Sequence, residues 1–317
     1  MRRSPQKWAR KAVIAAIVCV ALALQARAAT WFVIVSGIGG EPDYEQRFTS
    51  AANELDRIFL EEGPMVHVTT LTGNNATAGQ LHDALAAVAR QAKPEDDFAL
   101  ILIGHGSFDG VEYKFNLVGP DMTAAQLAEL CDKISAQRQL IVDTTSASGG
   151  AVPAFERPGR AVIAATKSGT EKNATVFARY WVEAFQDPSA DTDHSGSVSA
   201  LKAFAYAKRK TSEFYDSQKR LATEHAVFND TGSGEPVREA GNGQGNMLAS
   251  FTLLRSGQNA QAANDPAKRA LLEQKDELEQ KIDMLKYQKA ALDPEVYKKE
   301  LTDALVKLAK VEEALDK

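Results

Sequence analysis

Residues 140–150 read LIVDTTSASGG, and the fold turns on how this stretch is interpreted. Leu140, Ile141 and Val142 form an apolar run that ends on Asp143. Small hydroxyl residues and two glycines follow. A short apolar run closed in this way reads as a buried strand presenting side chains at the carboxyl end of an α/β sheet. Residues 98–106, FALILIGHG, have the same form, an apolar run opening into Gly104-His105-Gly106. As neighbouring parallel strands, the two runs bring His105 and residues 144–148 to one sheet edge. A base and a nucleophile would meet there.

The flanking sequence repeats the pattern. Residues 31–36, 65–71 and 160–166 read as further strands. Residues 44–61, 77–91, 123–134, 174–186 and 200–220 read as amphipathic helices, the second capped by Thr77. Strands alternating with helices predict a doubly wound, mostly parallel sheet. Residues 110–119 read as a small hairpin. Residues 221–245 are glycine-rich and irregular, and 247–254 are expected to be extended. Gly37-Ile38-Gly39-Gly40 does not spell a dinucleotide fingerprint and reads as a tight strand-to-helix turn.

Past residue 254 the character changes. Residues 255–266 have linker composition. Residues 267–317 space Leu271, Leu278, Ile282 and Leu285, then Leu301, Leu305, Leu308 and Leu315, at helical intervals, with Asp293-Pro294 breaking and restarting the helix. This is a helical hairpin or coiled coil with Lys275 and Glu312 on its seam. Its apolar stripe can be buried by folding on itself, by docking on the domain, or by self-association or a partner helix.

Residues 1–28 combine six basic residues and no acid, a 13-residue apolar run at 12–24, and Ala26-Arg27-Ala28. This is the pattern of a secretory signal peptide. A periplasmic or secreted protein with no membrane span after cleavage is expected. Cleavage takes the formal charge from −5 to −11, which argues against nucleic acid as a partner. The basic residues at 208–210 and 219–220 read as a solvated helix face. Of the two cysteines, Cys19 leaves with the signal. Cys131 shares a helical face with Leu127, Leu130 and Ile134 and reads as a buried hydrophobe.

Residues 187–199 form an acidic, glycine-containing loop between two helices. From Asp191, the spacing of Asp191, Asp193, Ser195, Gly196 and Ser197 resembles an EF-hand loop. Position twelve is Lys202, where a bidentate glutamate belongs. Asp191, Asp193, Ser195 and Ser197 are thus a weak calcium candidate, and no other cofactor is expected.

The blocks GIGGEPDYEQRF, LILIGHGSFDG, LIVDTTSASGG, DTDHSGSVSALKAFAYA and TEHAVFNDTGSGEP occur in this order. Together they resemble a bacterial member of the legumain family of cysteine peptidases, over about residues 31–254. That family includes the catalytic subunit of the GPI transamidase. The resemblance implies a caspase-like three-layer α/β sandwich with a mostly parallel sheet, to which the C-terminal hairpin is added. It also implies that His105 matches the family histidine and that Thr145 stands at the cysteine position. Ser146 is the fallback nucleophile, and Gly104, Gly106 and Asp143 frame the cleft. A threonine hydroxyl lacks the ionised fraction of a cysteine thiol and attacks only with a base closely engaged. The expectation is a degraded peptidase that binds a peptide or protein segment in its cleft. The alternatives are an active peptidase or transpeptidase using Thr145, Ser146 or Ser148 with His105, and an envelope scaffold acting through the hairpin.

Overall fold

In the computed structural model, residues 28–255, 268–289 and 292–316 are described, with 259, 262 and 265 between them. The expected signal peptide, except Ala28, and most of the 255–266 linker lie outside the described residues. Five strands run parallel: β1 (Thr30–Ser36), β2 (Val66–Leu71), β3 (Asp97–Ile103), β7 (Arg138–Asp143) and β8 (Arg160–Ala164). A three-stranded ribbon follows β3, made of β4 (Gly106–Phe108), β5 (Tyr113–Phe115) and β6 (Met122–Thr123). It widens the hairpin expected at 110–119. Further on, β9 (Ser197–Ser199) pairs with β11 (Thr252–Arg255), and β10 (Val227–Asn229) joins the main sheet antiparallel to β8. The main sheet order is β10-β8-β7-β3-β1-β2. Three residues are too few to show a period, so β10 is hidden in the irregular reading of 221–245.

Central strands buried on both faces must be apolar at nearly every position. In β3 they are from Phe98 to Ile103, and in β7 the apolar run is Leu140–Val142 between Gln139 and Asp143; their alternate residues feed two cores. One face sends Ala99, Ile101, Leu140 and Val142 against α1 (Pro42–Leu60). The other sends Leu100, Leu102 and Ile141 against α2 (Ala78–Gln91) and α3 (Ala124–Asp132). Thr77 caps α2 by accepting from the Gln80 amide, as expected. Thr123 and Gln126 form a reciprocal capping box on α3. Cys131 is fully buried on α3, and burial pushes its thiol up to about 12. A four-residue turn, α4 (Val152–Phe155), leads to β8. The first face is completed by α5 (Phe177–Glu183), which is shorter than expected, and α6 (Ala200–Ser217). Of residues 247–254, 252–254 are extended in β11 as expected, and 247–250 depart from that reading. They lie in a helical turn, α7 (Asn246–Ser250), because Asp230 Oδ2 accepts the Met247 and Leu248 amides.

The hairpin consists of α8 (Arg269–Gln288) and α9 (Pro294–Leu315), with Asp293 capping α9 as the sequence predicts. The two helices pack on each other, and α8 also packs on α7. Lys275 is not a seam residue. It is 6% exposed and faces the domain, where Nζ donates to the Ser195 carbonyl at 2.6 Å. Among the described residues no helix is long and apolar enough to cross a membrane.

A polar knot ties α3 to the sheet. Arg160 is 2% exposed, and its guanidinium donates to Gln139 Oε1 at 2.7 and 2.9 Å and to Asp132 Oδ1 at 2.8 Å. Gln139 Nε2 in turn donates to the carbonyls of Cys131, Ile134 and Ala136. Arg160→Ala leaves Gln139 Oε1 buried without a donor, so a loss of about 3 kcal/mol in unfolding free energy is expected. A urea midpoint equal to the wild type's would refute that role.

Candidate active-site cleft

Parallel pairing sets Leu102 opposite Asp143, and Asp143 opposite Ala164. The segments leaving β3 and β7 therefore emerge side by side, as expected. Gly104 has φ +153°, and a side chain on Gly106 would collide with Thr145 Oγ1 and the Ser146 carbonyl, both 2.5 Å from an ideal Cβ. Glycine at 106 is thus what allows the two loops to touch.

The contact is not a nucleophile facing a base. Ser146 Oγ donates to the Gly106 carbonyl at 3.0 Å and accepts the Gly106 amide at 3.2 Å. Thr145 is fully buried. Its hydroxyl donates to the Ser146 carbonyl at 3.0 Å, which leaves it to accept from Tyr113 Oη at 2.6 Å. The His105 ring lies edge-on to Tyr44 and Phe48, with centroids 4.8 and 5.0 Å away. Burial lowers its basicity, which proximity of the Gly39 backbone and Glu41 partly restores. The structure brings His105, Gly104 and Gly106 to the same edge as Asp143, Thr145 and Ser146. No hydrogen bond joins His105 to either hydroxyl among the described residues. Ser148, the third candidate, is also buried, with Oγ 3.2 Å from Thr166 Oγ1.

Two features of the cleft were not read from sequence. Phe108 lies against the backbones of Gly150 and Gly169, where any side chain would collide with its ring. Glu171 pins the loop after β8. Its carboxylate takes His225 Nδ1 at 2.6 Å and the His225 and Lys167 amides, and its carbonyl accepts the Ala147 amide. Tyr113 and His225 sit on segments too short or too irregular to show a pattern. Beside His105, an open groove of about 940 Å³ runs between α1 and α5. Tyr44, Phe48, Ala51, Ile103, Val182 and Phe214 contribute to its lining.

The loop considered for calcium lies elsewhere, against α8. Asp191, Asp193, Ser195 and Ser197 do converge, but on the Lys202 ammonium. Among the described residues no group of three or more His, Cys, Asp or Glu is placed to hold a metal ion.

No protein-family profile matches the chain, and no curated protein matches it. Among solved structures, the crystal structure of a protein from Geobacter sulfurreducens is similar at a TM-score of 0.44 and 13% identity, covering 73% of this chain and 100% of that one. The Drosophila initiator caspase Dronc is similar at a TM-score of 0.43 and 10% identity, covering 67% of this chain and 82% of that one.

Asp143 gives the cleft a pH signature. Oδ1 accepts the Thr145 amide at 3.0 Å, while Oδ2 is buried without a hydrogen bond. Burial pushes the carboxyl up to about 6, with the neighbouring Thr145 and Tyr113 groups holding the rise in check. The folded state holds this proton more tightly than the unfolded chain does. Its stabilisation is complete below the ordinary carboxylate range and is lost as pH rises to about 6. The loss amounts to roughly 2–3 kcal/mol. Asp143→Asn keeps the acceptor for Thr145 and is expected to make the fall in stability between about pH 4 and 6 shallower than the wild type's. Chemical denaturation at several pH values checks this, and a variant with the wild-type slope would refute it.

Proposed function

We propose that the protein is an exported legumain-family homologue that binds a peptide or protein segment in its cleft without hydrolysing it. One observation carries this reading. The Ser146 and Thr145 protons are committed to backbone carbonyls, while His105 is packed against the aromatic rings of α1. An alcohol attacks only when a base takes its proton. A base turned elsewhere leaves the hydroxyl pair inert, and the groove opens along Tyr44 and Phe48, the rings that hold His105. Concave, mostly apolar surfaces with few polar groups suit binding. The ordered blocks quoted above and the parallel three-layer sheet support the family assignment.

A second reading, a scaffold acting through the hairpin, draws support from α9. Val296, Leu305 and Val306 stand about half exposed there. A concentration-dependent sedimentation mass that Leu305→Glu abolishes would favour it over the cleft.

The deciding experiment uses fluorogenic peptides ending in Asn, Asp or Arg, with the wild type, Thr145→Cys and Ser146→Cys. No cleavage by the wild type is expected. Both positions are buried, so neither the Thr145→Cys nor the Ser146→Cys thiol is expected to gain activity. Fluorescence polarisation with a peptide library is expected to find binding that Phe48→Arg weakens at least tenfold, about 1.4 kcal/mol. Wild-type cleavage that His105→Ala abolishes would overturn the proposal in favour of an active peptidase.

A further inference from the structure

An EF-hand loop surrounds calcium with oxygens from positions one, three, five and seven, the last a backbone carbonyl, and closes with a bidentate glutamate at position twelve. Here the first four are in place. Asp191 Oδ1, Asp193 Oδ1, Ser195 Oγ and the Ser197 carbonyl converge on one point. Gly196, in the sixth position, has φ +76°, and its amide donates to Asp191 Oδ2 at 2.8 Å. The point of convergence is the Lys202 ammonium, at 2.8, 2.5, 2.8 and 2.9 Å from the four oxygens in that order. An ammonium has three protons. Four oxygens around it therefore share them, as oxygens around a metal share a charge. The residue that breaks the calcium pattern at position twelve is the one that fills its centre, so the donor set does not fit a resident metal.

The outer side of the loop is also occupied. The Ser195 carbonyl accepts from Lys275 Nζ at 2.6 Å and from Asn259 Nδ2 at 2.8 Å, and the Gly196 carbonyl accepts from the same Asn259 amide at 3.2 Å. Lys275 lies on α8, and both it and Asn259 are buried. The loop presents these two carbonyls outward only while its side-chain oxygens are gathered inward. Without a cation, Asp191 and Asp193 repel each other. From α8, Asp276, Glu279 and Asp283 line the same small polar space, paired with Arg255, Lys275 and Lys286.

We propose that Lys202 is a tethered replacement for calcium, holding the 191–202 loop in its filled form so that the helical hairpin docks on the α/β domain without a metal. The proposal is independent of the cleft. It implies that glutamate at 202 restores a calcium-dependent loop. Three carboxylates around a divalent ion carry the same net charge as two around an ammonium.

The test uses the full mature chain in three forms: wild type, Lys202→Gln and Lys202→Glu. Each is incubated with EDTA or millimolar calcium chloride. Readouts are the melting temperature, calcium calorimetry, and the rate at which limited proteolysis releases the hairpin. For the wild type, no calcium heat and no calcium effect on melting or proteolysis are expected; calcium binding that stabilises it overturns the proposal. For Lys202→Gln, release about tenfold faster is expected, because proteolysis follows the population of the open form; an unchanged rate overturns it. For Lys202→Glu, fast release in EDTA and slow release in calcium are expected; a variant that folds, judged by circular dichroism, but ignores calcium overturns the equivalence with calcium. The wild-type and Lys202→Gln results decide the proposal if Lys202→Glu does not fold.

Discussion

Leu102 lies opposite Asp143 where β3 and β7 run side by side, and both strands are buried on both faces. Backbone groups in such a position have no water to bond and must pair with the neighbouring strands. Side chains alternate between two apolar layers. A slip of one residue would exchange every layer at once. Register is therefore held by the whole core. It dictates where the chain leaves the sheet, and so places Gly104–Gly106 against residues 144–148. The missing Cβ at Gly106 then sets how closely the two loops approach.

That closeness is used for internal bonding. Buried hydroxyls need partners, and those of Thr145 and Ser146 find them in Tyr113, Gly106 and the local backbone. A histidine able to act as base is present, but its ring is packed among aromatics on α1. The 191–202 loop follows the same logic on the other side of the molecule. Carboxylates that could have held an ion hold a lysine. In both places, polar groups of the kind that elsewhere bind or react are satisfied by the chain itself. Among the described residues a mostly apolar groove stays open between α1 and α5.

The docking of the hairpin rests on buried polar contacts as much as on apolar ones. Arg255, at the end of β11, pairs with Asp276 of α8 at 2.8 Å, and its amide donates to Glu62. Lys275 reaches the loop below it. Such contacts are directional and tolerate only one seating of the helix. Leu272, Ile282 and Leu285 are covered at the same time.

Strands β1, β3, β7 and β8 were legible in the sequence because burial on both faces leaves continuous apolar runs. The starts of α2 and α9 were legible in Thr77 and in Asp293-Pro294, since caps depend on local hydrogen bonds. The meeting of His105 with residues 144–148 at one edge followed from the same runs. The strand β10, the turn α7, Tyr113 as the partner of Thr145, and the occupant of the acidic loop were not legible. Lys202 stood out only as a residue that did not fit. The sequence by itself determined the long strands and helices and which residues reach the sheet edge, because those depend on local pattern and burial. Only the tertiary structure decided where the hydroxyl protons of Thr145 and Ser146 point, which way His105 turns, and which cation fills the loop. Those depend on distances between residues far apart in the chain, which no local pattern encodes.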